Sequence, residues 1–189
     1  DAWVGVRDAT QFGPSAPQTP YRGRIGELLP SLTSDGTNED ILTVNVWAPT
    51  DATDPASGPL PVVLWIHGGA FERGGSSIAG YDGTSFARGG VVFVSANYRL
   101  GSEGFSVLED APRNLGLEDV AAALRWTHAE IAAFGGDPSR ITVMGESAGG
   151  ALVAALLSRP DTAPLISGAI IESGPLDAVD PKRAGRVTR

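Results

Sequence analysis

The stretch VMGESAGG, residues 143–150, decides how this chain is read. It sets Ser147 between Gly145 and Gly149, after the β-branched run ITV (141–143) and before the Ala/Leu-rich segment GALVAALL (150–157). A G-x-S-x-G sequence between a strand and a helix predicts a nucleophile elbow. The serine then stands on a sharp turn above the sheet edge. Flanking glycines let strand and helix approach without Cβ clashes, and the N–H of Ala148 at the helix start can face a developing oxyanion. The bland alternative is an ordinary strand-to-helix turn whose glycines serve packing alone.

Working outward, a second element lies eighty residues upstream. HGGAF, His67 to Phe71, follows the continuous apolar run LPVVLWI (60–66). Adjacent small residues leave backbone N–H groups free to converge on an anion. An oxygen nucleophile together with such donors is what acyl transfer needs. A glycine-rich loop can also cradle phosphate, but no Lys-Ser/Thr pair follows HGGAF, which argues against a nucleotide P-loop.

The rest of the chain supports an α/β reading. LTVNVW (42–47) alternates with period two, as a half-exposed strand does. The run 60–66, ending at His67, is continuously apolar, as in a strand buried on both faces of a parallel sheet, and VVFVSAN (91–97) reads as a second buried strand. Residues 117–134 carry Leu117, Val120, Ala121, Leu124 and Ile131 at helical spacing, with Glu118 and Asp119 near the start and Gly135 and Gly136 as the stop. DPSR (137–140) reads as a turn into strand 141–145, followed by a helix over 148–158 and a short strand over 166–173. Residues 13–40, rich in Pro, Gly, Ser and Thr, read as loop, and 51–59 as a surface turn. Strands alternating with helices predict a mostly parallel central sheet with flanking helices. No linker divides residues 1–189.

Composition limits the function classes. With 189 residues, 42% of them apolar, the chain can bury one sizeable core. A net charge of −8 without a Lys/Arg cluster argues against nucleic acid and anionic membranes as partners. The longest apolar runs are too short to span a bilayer. There is no cysteine, hence no disulfide or thiolate metal site, and no His/Asp/Glu cluster has ligand spacing, so no metal or cofactor is implied. The compartment stays open, with the cytoplasm slightly favoured over secretion.

The longer motifs are specific. FGGDPSRITVMGESAG (134–149) resembles the active-serine signature of the type-B carboxylesterase family, the α/β-hydrolases that include cholinesterases and bacterial para-nitrobenzyl esterases. EDILTVNVWAP (39–49) is similar to that family's second signature, and WVGVRDATQFGPSAPQ (3–18), NYRLG (97–101) and NLGLEDVAAALRW (114–126) also look like family segments. The resemblance covers nearly the whole chain. It implies part of an α/β-hydrolase fold and a serine carboxylesterase acting on small-molecule esters. It implies Ser147 as the acyl-forming nucleophile and the N–H groups of Gly69, Ala70 and Ala148 as an oxyanion hole. Glu146 would be a carboxylate beside the elbow, Ser173 a serine near the catalytic acid, and His67 the residue that orients the loop of Gly68 and its neighbours. Phe71 adjoins the hole and is the aromatic most expected in the pocket wall, ahead of Trp47, Tyr81 and Phe105.

Two departures stand out. Family members often carry cysteines where this chain has Ile41 and Ala16, so the corresponding disulfides are absent. In the family the acid and the histidine follow the serine, whereas both histidines here, His67 and His128, precede Ser147. The expectation is therefore a single partial domain, carrying the nucleophile and oxyanion loop. A complementary segment or second chain would bring the catalytic Glu or Asp and the His. The end of the sequence, PKRAGRVTR, reads as a cut edge. A non-catalytic interaction module on the same fold is the alternative. A hormone-sensitive-lipase-type esterase fits less well, given EDILTVNVW and FGGDP. Arg99 and the Glu39–Asp40 pair are candidates for ion-pair braces between loops.

Overall fold

The computed structural model describes residues 5, 6, 8–19, 23–28, 40–177 and 179–187. The elements are α1 (Gly23–Leu28), β1 (Val44–Trp47), β2 (Leu60–Ile66), α2 (Thr84–Arg88), β3 (Val92–Ala96), α3 (Gly101–Phe105), α4 (Leu115–Glu130), β4 (Gly136–Glu146), α5 (Ala148–Leu157), β5 (Gly168–Glu172) and α6 (Pro181–Val187). The five strands form one sheet in the order β1-β3-β2-β4-β5. β1 runs antiparallel to β3, and the other pairings are parallel.

Burial follows the apolar runs. Every residue of β3 is buried, as are Val62 and Leu64–Ile66 of β2. Val120, Ala121 and Leu124 of α4, Ile131 just after it, and Leu152, Val153 and Leu156 of α5 complete one core with Ile141 and Val143 of β4. β1 is half-exposed as expected but shorter, Val44–Trp47 instead of 42–47, and all four residues are half-buried rather than alternating. β5 differs: as the last strand of the sheet it leaves Ile170 and Ile171 about two-fifths exposed, at 43% and 40%.

The sheet takes in more of the chain than the sequence pattern marks. DPSR belongs to β4 rather than preceding it as a turn. The register between β2 and β4 shifts between Leu60 and Val62, making an irregularity opposite these residues. Asp137 fills it by accepting hydrogen bonds from the Ser139 N–H (2.9 Å) and hydroxyl (2.6 Å), the local bonding that favours a turn. Gly136 accordingly opens β4 instead of closing the preceding helix. That helix begins at Leu115, two residues early, and tightens to 3-10 geometry over Ile131–Phe134 before Gly135 ends it at φ 79°. The stretch 13–40 is not all loop, since α1 lies within it. Residues 20–22 and 29–39 of that stretch lie outside the described residues.

Arg99 braces α4, not a loop. Its Nε and Nη2 grip the two carboxylate oxygens of Asp119 at 2.7 and 2.6 Å, and its N–H adds a bond at 3.0 Å. Asp119 is buried, so this ion pair fastens the end of β3 to the long helix. Glu39, read with Asp40 as a second brace, falls outside the described residues.

Candidate active site

Four strand ends converge where β2, β3, β4 and β5 finish, the usual ligand position in a parallel sheet. β4 ends at Glu146, and Ser147 follows with φ 52° and ψ −117°, outside the regions that β-carbon sterics favour. α5 starts one residue later. The Ser147 N–H donates to the Glu172 carbonyl at 2.8 Å, tying the elbow to the end of β5. The elbow glycines are required by close approach. A Cβ at 149 would lie 2.8 Å from the His67 carbonyl oxygen, and one at 145 would lie 2.5 Å from the Gly149 carbonyl carbon.

The structure brings the two sequence motifs together. A Cβ on Gly68 would stand 3.2 Å from Cβ of Ser147 and 2.9 Å from the Glu146 carbonyl oxygen. The Glu146 side chain also lies against Gly68. Beyond Gly68 the chain turns tightly, and Gly69, Ala70 and Phe71 have φ of 115°, 57° and 62°. The Gly69 carbonyl accepts from the N–H of both Glu72 and Arg73 at 3.0 Å, so it points into the turn. Because a trans peptide sets N–H and C=O antiparallel, the Ala70 N–H points out of it. Among the described residues, the N–H groups of Gly69, Ala70 and Ala148 meet no protein acceptor. For Ala148 this is the normal state of a first helical residue.

His67 is buried behind this loop. Its Nδ1 lies 2.8 Å from the Gly68 carbonyl oxygen. A carbonyl only accepts, so Nδ1 carries the proton. The ring stacks on Tyr98 at 4.4 Å, and the Tyr98 hydroxyl donates to the His67 carbonyl at 2.8 Å. Burial lowers the His67 pKa to about 4, so the ring is neutral at pH 7. Burial also pushes the Tyr98 phenol up. His67 is thus built into the floor of the loop, while His128 is exposed in the last turn of α4.

The other residues singled out from the sequence separate by position. Phe71 is half-buried, with its ring 4.8 Å from that of Phe105 and its carbonyl accepting from Gly101 at 2.7 Å. Ser173, exposed at φ 52°, follows the carbonyl that holds the elbow. Trp47 packs between Phe12 and Phe93, in the sheet, and Tyr81 against Trp65. The sequence pattern does not single out Tyr98 or Gln18. Tyr98 sits just beyond a buried strand, a position that could have marked it. Gln18 carries no such signal.

The geometry has counterparts in known proteins. The chain is 46% identical over 181 residues to the para-nitrobenzyl esterase of Bacillus subtilis (strain 168), covering 92% of this chain and 35% of that protein. It is 42% identical over 174 residues to the phenmedipham hydrolase of Pseudarthrobacter oxydans, covering 92% and 34%. It is 42% identical over 182 residues to the cholinesterase of Mus musculus, covering 93% and 30%. The chain therefore spans about a third of the length of these relatives. A profile of the carboxylesterase family matches residues 1–184, and with its mostly parallel sheet and flanking helices this chain belongs to that family and forms part of an α/β-hydrolase fold.

Proposed function

We propose that residues 1–189 are the nucleophile-bearing part of a serine carboxylesterase domain that hydrolyses small carboxylic esters. The observation that carries this reading is Ser147 at positive φ on the elbow, with the HGGAF loop packed against it and three N–H donors that meet no acceptor among the described residues. Ser147 Oγ attacks the ester carbonyl. The N–H groups of Gly69, Ala70 and Ala148 take the charge of the tetrahedral oxyanion. A base takes the Ser147 hydroxyl proton and passes it to the alcohol oxygen as the acyl C–O bond breaks, and water, deprotonated by the same base, then cleaves the acyl-enzyme to release the acid and restore the serine hydroxyl. A module kept for binding alone would have no need of a serine at positive φ, which costs about 1–3 kcal/mol.

Neither histidine of the chain suits the role of base, one being neutral and packed under the loop and the other exposed on α4. The base and its carboxylate come, on this reading, from a complementary segment of the same esterase. On the same reading that segment adds to the sheet along the side of β5 that no described strand covers, near the part-exposed Ile170 and Ile171 and the exposed Leu176 and Val179. The names of the relatives, an esterase and a hydrolase, support the reaction class.

Intact-mass analysis of the whole encoded protein after treatment with a fluorophosphonate tests the reading. One adduct is expected, on Ser147, and none in Ser147→Ala. Labelling that persists in Ser147→Ala, or ester turnover that survives it, overturns the assignment.

A further inference from the structure

We infer that Gln18 is a positioning residue for the oxyanion loop, an inference that rests on the role proposed for that loop. The Gln18 side-chain amide makes a two-point pairing with the backbone of one residue 56 positions away. Its Nε2 donates to the Gly74 carbonyl at 2.8 Å, and its Oε1 accepts from the Gly74 N–H at 2.9 Å. The pairing copies what a neighbouring strand would offer, in a place where none of the described strands passes.

Gly74 is where a tether on the loop has most leverage. It closes the turn that begins at Gly69, its φ is 113°, and it is buried against the floor of the site. A Cβ there would lie 2.6 Å from the Gly68 carbonyl oxygen and 2.8 Å from Cε1 of His67. Any shift of Gly74 away from that floor frees the Gly68 peptide, and with it the turn that aims the Ala70 N–H. The other end of the tether is firm. Ser15 and Ala16 are buried, the Pro14 carbonyl accepts from Asn97 Nδ2 at 3.1 Å, and the Ala16 carbonyl accepts a second bond from Gln18 Nε2 at 3.1 Å. Asn97 also accepts from the Ser76 N–H at 2.8 Å, so the loop and the segment around residue 14 hang on one frame. Among the described residues, the Gln18 amide alone joins that frame to both backbone groups of Gly74.

Oxyanion donors matter only in the transition state, so loosening them lowers kcat and leaves substrate binding nearly unchanged. In the whole encoded esterase, Gln18→Leu is expected to lower kcat by roughly tenfold to a hundredfold, the scale of a donor misplaced by about 1 Å. KM should change less than about twofold, the signature of an interaction made only in the transition state. Affinity for an aryl trifluoromethyl ketone, which forms a tetrahedral oxyanion on the serine, should fall in parallel with kcat. A merely structural residue would lower the unfolding midpoint and leave kcat of the folded enzyme untouched, and that result overturns the inference. Should Gln18→Leu not fold, Gln18→Glu decides. Its neutral acid can both donate to and accept from Gly74, whereas its carboxylate can only accept. Its kcat relative to the parent enzyme, taken at each pH, should rise as pH is lowered towards 5, and a flat ratio overturns the inference. Ser147→Ala serves as the control: if it keeps its turnover, the proposed function itself fails, a failure separate from that of the tether.

Discussion

The elbow at 145–150 and the loop at 68–74 both carry non-glycine residues at positive φ, yet they are fixed by different means. The elbow is jammed. Strand and helix press on each other through Gly145 and Gly149, and a single hydrogen bond from Ser147 to Glu172 completes it. The loop is hung. Its tight turn is anchored at Gly74 by Gln18, at Phe71 by Gly101 and beneath by the His67–Tyr98 stack. Steric fixation is local in sequence and tolerates no added atom. Tethered fixation draws on distant segments and fails one anchor at a time. The difference predicts unequal responses to mutation and to pH.

The largest effect on stability is expected at the elbow. In Gly149→Ala the new methyl meets the carbonyl oxygens of Ile66 and His67, backbone atoms that cannot rotate aside. A loss of about 3 kcal/mol is expected by urea unfolding, at the upper end of overpacking costs. An unchanged midpoint would show that the elbow can open, and the contrast with the loop would collapse.

Acid should act on the loop side. His67 titrates near 4 when folded and near 6.5 when unfolded, so the unfolded chain binds the extra proton first. Its contribution to stability is therefore full above pH 6.5 and declines as pH falls towards 4. Between pH 6.5 and 5 this amounts to about 2 kcal/mol. Unfolding midpoints across that interval, compared with those of His67→Gln, isolate the effect. Parallel pH curves for the two proteins would remove His67 from the account.

The smallest shift sharpens the comparison from the other direction. Ser147→Gly relieves a side chain held at φ 52° and should raise stability by about 1 kcal/mol while abolishing fluorophosphonate labelling. Equal midpoints would mean that the elbow stores no strain.

The two regions were also unequally legible. Ser147, its glycines and the HGGAF loop could be read directly, because steric needs leave small residues at fixed spacing. The buried strands were readable for a similar reason, since continuous apolar runs have few other uses. Gln18 could not be read, because a side-chain amide that binds a backbone 56 residues away leaves no period behind. Nor could the partner of Arg99, since Asp119 looked like a helix-start carboxylate until the fold buried it. DPSR misled for a physical reason: Asp137 and Ser139 do form turn-like bonds, but inside an irregular strand. Ile170 and Ile171 have the composition of a buried strand, and only the sheet order shows that they lie at its edge.

That edge bears on how the protein is made. Among the described residues β5 is paired on one side only, with β4, and its other side presents backbone groups that no strand covers. For as long as that side stays uncovered, a newly made chain displays two part-exposed isoleucines beside an open strand edge, a feature that chaperones bind and that other chains can pair with.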